Sequence, residues 1–433
     1  MPFLLLRKKL SFWHLFGNYT FIGMQNLLFG VSLVTLSFCS LFAKNWNQFR
    51  GPTGQGHASN ILPHKWSPES ANLRWRTPIE GKAWSSPIQV DHQIVVTNAR
   101  TLKDGSSIEL EVISLDGETG QFLWKKRLFS YVELPRIHRK NSYASPTPFF
   151  DGESIYVHFG NLGSARMTKG GEVLWKKVFD YSPVHGGGSS PIIYGDMLLF
   201  SADGANDPSI YAINKHNAEI IWKKRRSSDT KKNFSFCTPL IVPRGNGKQI
   251  ISPASEFVFS YSLEGRELWK SKYPGGYSVV PRPVFHNGHI FVSSGYDRPT
   301  LYAIRTDGTG DVTDSKIVWK TSKSVPRNSS IVIVNDLLFM AADNGVVSCL
   351  DCKTGSTHWI ERVGGSCSSS LLHASNFIYL TDETGKTFVF RAGKKFEAIA
   401  VNDLAERTLA SLMAWDESLV IRTEDAIYRF GKL

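Results

Sequence analysis

Small residues, often followed by proline, recur along the chain just ahead of short apolar runs. They read Ser85-Ser86-Pro87, Ala144-Ser145-Pro146, Ser189-Ser190-Pro191, Cys237-Thr238-Pro239, Pro281-Arg282-Pro283, Asn328-Ser329-Ser330, Ser368-Ser369-Ser370 and Ala410-Ser411-Leu412. Their third positions, 87, 146, 191, 239, 283, 330, 370 and 412, lie 59, 45, 48, 44, 47, 40 and 42 residues apart. Each opening leads into an apolar strand, a turn with Asp, Asn or Gly, and a second apolar strand. A Gly-containing turn and an aliphatic-Trp strand then close the unit. After the first 43 residues no stretch sustains a helical period. A repeat of about 40 to 50 residues built from four short strands has the size of a propeller blade.

The closing strands end at Trp124, Trp175, Trp222, Trp269, Trp319 and Trp359, with Phe396 taken as the counterpart in the seventh unit. The clearest closing units are Leu115-Asp-Gly-Glu-Thr-Gly-Gln-Phe-Leu-Trp124 and Leu350-Asp-Cys-Lys-Thr-Gly-Ser-Thr-His-Trp359. Thr-Gly marks a hairpin, because glycine reaches the positive φ of a tight turn. The tryptophan then serves as a wedge between blades, burying about 150–250 Å². The eighth unit has no such tryptophan and stops at Ala426-Ile-Tyr-Arg-Phe430, three residues before the end. An orphan closing strand, Leu73-Arg74-Trp75-Arg76-Thr77, stands at the other end of the repeats. Placing it in the last blade closes the ring without a free edge. The expected fold is all-β: an eight-bladed β-propeller of four-stranded antiparallel blades over residues 73–433, closed by an N-terminal strand. Residues 44–72 form an extension whose Gly-rich tract, 46–56, is expected across one face.

Ahead of it, residues 27–42 are an unbroken run without charge, with Arg7, Lys8 and Lys9 upstream and Ala43 before polar Lys44-Asn45. This is the layout of a secretory signal peptide, residues 1–43, and Met24 is an alternative start. The run is short for a spanning helix of about 20 residues. An uncleaved anchor and acylation at Cys39 are the alternatives. Each places the rest outside the cytoplasm, in the periplasm or cell envelope, with membrane association through the N-terminal segment in the anchored cases.

The net charge is +12, and about +9 remains without the first 43 residues. Lys223-Lys224-Arg225-Arg226 with Lys231-Lys232, and residues 136–140, are locally basic. They read as solvated strand ends and loops; no aromatic-interleaved basic groove or nucleic-acid motif accompanies them. Apart from Cys39 there are Cys237, Cys349, Cys352 and Cys367, too few for a disulfide scaffold. Cys349 and Cys352 have C-x-x-C spacing but no second pair for zinc and no βαβ context for redox chemistry, so they read as structural. Asp307, Asp311 and Asp314 form an acidic loop without EF-hand spacing, read as a solvated hairpin.

The longest interval contains His138, Arg139, Lys140 and Tyr143. Insertions of this kind are where propellers carry specificity. His185 precedes three glycines, and Tyr296-Asp297 sits at a strand end. These seven residues are the candidates for contact with a partner. No nucleophile elbow, zinc-protease helix or P-loop occurs, so no catalytic or metal-binding set is assigned.

The Asp, Thr-Gly and Trp closing units and the Ser-Ser-Pro openings resemble the pyrroloquinoline-quinone-like repeat family over about residues 46–430. The tracts 46–56, 139–146, 185–191, 277–283 and 307–313 are similar to those of an exported bacterial subgroup. The resemblance implies two bracketing relatives. One is the periplasmic lipoprotein propeller that helps assemble β-barrel outer-membrane proteins without a cofactor. The other is the quinoprotein dehydrogenases, whose calcium is held by Glu, Asn and Asp and whose quinone lies between a Trp and a disulfide of adjacent cysteines. This chain has no adjacent cysteine pair. The expectation is therefore a non-catalytic scaffold in the cell envelope, without cofactor, binding a protein, peptide or glycan and no nucleic acid. A quinone-dependent oxidoreductase (pyrroloquinoline quinone, PQQ, with calcium) and a carbohydrate-binding or sensor module are the alternatives.

Overall fold

The structure, a computed structural model, describes residues 45–102, 105, 107–226, 230 and 232–432. The leader, including Cys39, and Lys231 lie outside the described residues. Eight sheets follow one another along the chain. Blades 1 to 7 occupy residues 88–131, 149–177, 192–225, 240–272, 284–321, 332–362 and 372–403. Blade 8 is made of Met413–Trp415, Ser418–Arg422 and Ala426–Phe430, and its outer strand is Leu73–Pro78. That strand pairs antiparallel with Ala426–Phe430, with a bulge between Leu73 and Trp75. The ring is thus closed by joining the two ends of the repeat region.

Burial follows from this arrangement. Middle strands such as Ser154–His158 and Leu337–Ala341 are buried throughout, because each sheet is covered on both faces by neighbouring blades. Outer strands such as Val173–Lys177 and Ile317–Thr321 alternate between half-buried and exposed positions, because one side of each meets water.

The tryptophans join each blade to the next. Trp75, Trp124, Trp175, Trp222, Trp319 and Trp359 donate their indole N–H to backbone carbonyls of Gly117, Lys169, Lys215, Leu263, Cys352 and Gly393, at 2.9–3.1 Å. Each acceptor lies in the following blade's last turn. Gly120 shows what that turn requires. Its φ is +70°, and a Cβ there would come within 2.5 Å of the Trp75 ring. The Asp of the closing unit holds the same turn: Asp116 Oδ1 accepts from Thr119 N at 2.8 Å, as Asp351 Oδ1 does from Thr354 N at 2.9 Å.

Two expectations need correction, and two others gain detail. In blade 7 the register places Ala400, across from Val389, where the other blades have their tryptophan; Phe396 precedes that strand and packs on Trp359 instead. Trp269 is the expected wedge, fully buried in a cluster shared by blades 4 and 5, but its indole N–H donates to Gln249 Oε1 of its own blade, 2.9 Å away. The acidic loop is the expected solvated hairpin, with Asp307, Asp311 and Asp314 exposed, and its Gly310–Asp311 also adds a short parallel strand to the outer edge of blade 4 beside Trp269. Arg226 is not solvated: with a side chain only 1% exposed, it forms a bidentate pair with Asp203, its Nε to Oδ1 at 2.9 Å. Burial raises the Asp203 carboxyl to about 6 against the pull of Arg226.

The N-terminal tract runs through the ring. Trp46 O accepts from Gln89 N in blade 1, and Asn47 O from Phe150 N in blade 2. Arg50 donates to Ile331 O at the entry to blade 6. Gly56 O accepts from His373 N, and His57–Ala58 pairs parallel with the inner strand of blade 7. Blades 2 and 6 face each other across the axis, so the few residues from Asn47 to Arg50 span the channel. Arg282 fixes the tract through Gln48 Oε1 at 3.2 Å and Phe49 O at 2.8 Å. Gly54, at φ +68°, lies against the same guanidinium, which a Cβ would meet at 2.2 Å.

His57 and His373 face each other Nδ1 to Nδ1 at 3.0 Å, so one must donate and the other accept. Burial, then His373, lowers the His57 pKa from its ordinary 6.5 to about 4, and burial lowers that of His373 as well. Buried His158 falls to about 3. These folded values lie below the unfolded one, so their stabilising contribution is complete above the unfolded pKa and is lost as pH falls through 6.5 toward 4. Thermal unfolding should hold a plateau above pH 6.5 and decline below it, and a His57→Gln, His373→Gln double variant should decline less steeply. Replacing Trp222 by Ala should cost about 3–5 kcal/mol in urea unfolding. Asp203→Ala should cost a similar ~3–5 kcal/mol, because it leaves the Arg226 charge buried without its partner.

Candidate functional site

The loops that lead from one blade's outer strand to the next blade's inner strand converge around the axis. With two loops from blades 5 and 6 they line a cavity of about 830 Å³, and Phe49 of the N-terminal tract contributes to its lining. Because the tract spans the channel, the cavity is a funnel open at one face of the ring.

Deep in the funnel the blades are joined in a ring of hydrogen bonds. Ser86 N donates to Thr147 Oγ1, Thr147 N to Ser190 Oγ, and Ser190 N to Thr238 Oγ1, each at 2.9 Å. The series resumes with Arg282 N to Ser330 Oγ, Ser330 N to Ser370 Oγ and Ser370 N to Ser411 Oγ. Ser411 N donates to Ser86 Oγ at 3.1 Å and completes the circle. Only the step from Thr238 to residue 282 is missing, where Arg282 instead donates its Nε to Pro239 O. The register corrects the phase of three openings: Thr147, Ser330 and Ser370 hold the ring positions, not Ser145, Ser329 and Ser369. A run of small hydroxyl residues does not reveal which hydroxyl faces the neighbour; the bonding register decides it.

The rim carries aromatic and cationic side chains. His138, Arg139, Lys140, His185 and Tyr296 all line the cavity. The loop of 138–141 is tied to that of 185–187: His138 N donates to His185 O, and Asn141 Nδ2 to His185 O at 2.8 Å and Gly187 O at 3.1 Å. The His138 and His185 rings meet edge to face with centroids 5.6 Å apart. Burial, with His138 nearby, holds His185 below the usual imidazole range. Lys140 bonds Glu383 Oε1 at 2.6 Å, which also accepts from Ser368 Oγ. Arg327 lies over the Tyr296 ring, 5.1 Å from its centroid. Asp297 stands beside this group, where its Oδ2 accepts from Tyr277 Oη at 2.8 Å and Lys232 Nζ at 3.3 Å. Tyr143 is not brought to the rim. It packs in the core of blades 1 and 2 and donates its hydroxyl to Pro135 O.

Sequence reasoning missed Trp84, Phe236, Tyr277 and Arg327, which also line the cavity. Tyr277 lay inside a tract already singled out, and Trp84 directly before the first opening. Both signals place these residues on the loops that converge here. The hydroxyl ring was present in the repeated openings but read only as punctuation between strands.

The lining offers hydroxyl and amide groups, aromatic faces and cationic side chains. The single carboxylate on the lining is Asp343, whose oxygens accept from Arg327 N at 2.8 Å and from the Asn328 backbone and side-chain N–H groups. It holds a loop. Among the described residues no three His, Cys, Asp or Glu side chains gather as a cation cage. No cysteine lines the cavity, and all four described cysteines are free and buried. Burial raises the Cys349, Cys352 and Cys367 thiols to about 12, which keeps them protonated and inert. These residues do not fit the calcium-and-disulfide arrangement of a quinone site. Among the described residues no helix is long and apolar enough to cross a membrane.

Comparisons agree with this architecture. The family described as outer membrane protein assembly factor BamB matches residues 62–186, 111–361 and 310–403. The BamB of Moranella endobia (strain PCIT) is 23% identical over 279 residues, which is 60% of this chain and 63% of that protein, just under two thirds of its length. Among solved structures, BamB from Moraxella catarrhalis superposes with a TM-score of 0.57 at 11% identity, covering 83% of this chain and 99% of that one. Quinohemoprotein alcohol dehydrogenase from Comamonas testosteroni gives 0.65 at 10% identity, covering 90% and 81%. At such identities the structural likeness speaks for the fold alone.

If Asp343 holds the loop rather than serving a ligand, Asp343→Ala should raise protease sensitivity at 322–328. It should also lower the thermal midpoint by a few degrees, about 1–2 kcal/mol for lost buried acceptors.

Proposed function

The chain belongs to the family of the outer membrane protein assembly factor BamB, and on that premise we propose that it is a non-catalytic scaffold of the cell envelope. Its funnel mouth holds a polypeptide partner of the outer-membrane assembly machinery, and it works without a resident quinone. The N-terminal segment directs it to the envelope and supplies any membrane attachment. The observation that carries this reading is the rim: His138, Arg139 and Lys140 from one loop, His185 from a second and Tyr296 from a third meet at one opening, above a lining whose only carboxylate is already occupied. Aromatic rings and arginine are the side chains that anchor protein partners, because they desolvate large areas at low entropic cost. Exposed aliphatic residues such as Leu174 and Val401 lie on the outer strands, away from the funnel lining.

Photo-crosslinking in cells tests the proposal. A benzophenone amino acid at Tyr296 or Arg139 should give a discrete protein adduct, whereas one at Val401 on the outer edge of blade 7 should not. Adducts confined to the outer edge would move the interface away from the funnel. Titration of the purified protein with pyrroloquinoline quinone and Ca²⁺ should leave tryptophan fluorescence and dye reduction unchanged. Saturable quenching with calcium-dependent dye reduction would replace the scaffold by an oxidoreductase.

A further inference from the structure

The hydroxyl ring leaves hydrogen-bonding capacity unused on the cavity side. Ser86, Thr147, Ser190, Thr238, Ser370 and Ser411 line the cavity, and each is at most 8% exposed. Each oxygen accepts one backbone N–H from the neighbouring blade. None of the six donates its own O–H to an acceptor among the described residues. A hydroxyl has one donor, and buried donors are satisfied in the great majority of native sites. Trp84 adds another: it lines the same cavity, is 6% exposed, and its buried indole N–H has no partner among the described residues. The floor is therefore a circle of donors that calls for a ligand rich in acceptors.

Two further features narrow the class. Charge at the mouth is positive: Arg139 is exposed and makes no ion pair among the described residues, and Arg327 stacks on Tyr296, while Lys140 and Asp343 are already engaged. The walls combine aromatic faces with hydroxyl and amide side chains, a mixture suited to a ring with one apolar face and polar edges. The volume, about 830 Å³, lies in the range of small-ligand pockets, about 300–1,000 Å³. We propose that the floor of the funnel binds an acidic saccharide. Its carboxylate and ring oxygens accept from the hydroxyl circle and Trp84, its ring packs on the aromatic wall, and its charge is matched by Arg139. The site rests on the reading that this mouth, and not the outer edges, is the binding face. The sugar is taken up either free or as the end of a glycan chain.

Calorimetric and tryptophan-fluorescence titration of the full chain tests this, with N-acetylmuramic acid and glucuronic acid as probes. N-acetylglucosamine serves as the uncharged control and acetate as the carboxylate without a ring. The acidic sugars should bind at least about tenfold more tightly than N-acetylglucosamine, with acetate failing to compete at comparable concentration. Arg139→Gln, which alters an exposed side chain without a partner, should weaken the acidic sugars about tenfold at an unchanged thermal midpoint. Ser190→Ala should remove one donor and weaken both classes of sugar, whereas Lys224→Gln on the outer strand should change nothing. Equal binding of charged and uncharged sugars, acetate competing as well as a sugar, or no heat with any probe would each overturn the assignment. An acidic tetrasaccharide binding more tightly than the monosaccharide identifies a chain end, and equal affinity identifies the free sugar. If the sugars fail while adducts at Tyr296 persist, the scaffold reading survives without the saccharide; loss of both removes the mouth as a binding face.

Discussion

Every other feature of this molecule depends on the way each blade is bonded to the next. At the circumference an indole N–H reaches a carbonyl of the following blade, and at the axis a backbone N–H reaches the following blade's hydroxyl. A single bond of either kind contributes only about 0.5–1.5 kcal/mol. Their value lies in repetition with one direction, because no blade can shift without straining contacts on both sides. The chain is discontinuous within blade 8, between Ala426–Phe430 and Leu73–Pro78, and the seam with blade 1 beside it is reinforced. Trp75 and Arg429 both donate to Gly117 O, and buried Arg422 donates to Ser85 Oγ, Thr97 O and Asn98 Oδ1. The strand Leu73–Pro78 adds to this a full ladder of pairing.

A ring closed in this way leaves an open axis, and the N-terminal tract is what turns it into a funnel. Arg282 links the two features. It occupies the one ring position without a hydroxyl, and its guanidinium reaches the tract instead. The break in the hydroxyl circle is thus the point at which the plug is held. Burial of Arg50 near Arg282 lowers the Arg50 pKa to about 9, a sign of how little water reaches this contact. The pair His57 and His373 holds the tract's far end against blade 7, where burial lowers the pKa of both rings.

The parts legible in the sequence were those written by spacing. The repeat period, the Thr-Gly turns and the orphan strand around Trp75 are local patterns, and each follows from what a four-stranded blade needs in order to turn and close. What was not legible depends on register or on distant partners. Ala400 stands in a tryptophan's place, and nothing in Phe396 or its neighbours shows that the bulge shifts the strand by the interval it does. Arg226 sat in a basic run indistinguishable from its solvated neighbours until Asp203 was placed opposite it. At the candidate site the rim residues His138, Arg139, Lys140, His185 and Tyr296 were visible as loop residues, but their convergence is a property of the ring. Tyr143, in the same insertion, turns into the core instead.

The same geometry explains why a fold shared with quinone enzymes suits binding here. Catalysis on the axis of a propeller needs groups that change protonation or coordinate a cation where the substrate lies. In this funnel seven of the eight ring positions are hydroxyls that link the blades, and the one carboxylate on the lining holds a loop. The ring hydroxyls can serve two purposes at once, because the oxygen accepts from the neighbouring blade while the hydrogen remains for whatever enters the funnel. Structure and the proposed recognition thus draw on opposite ends of the same side chain.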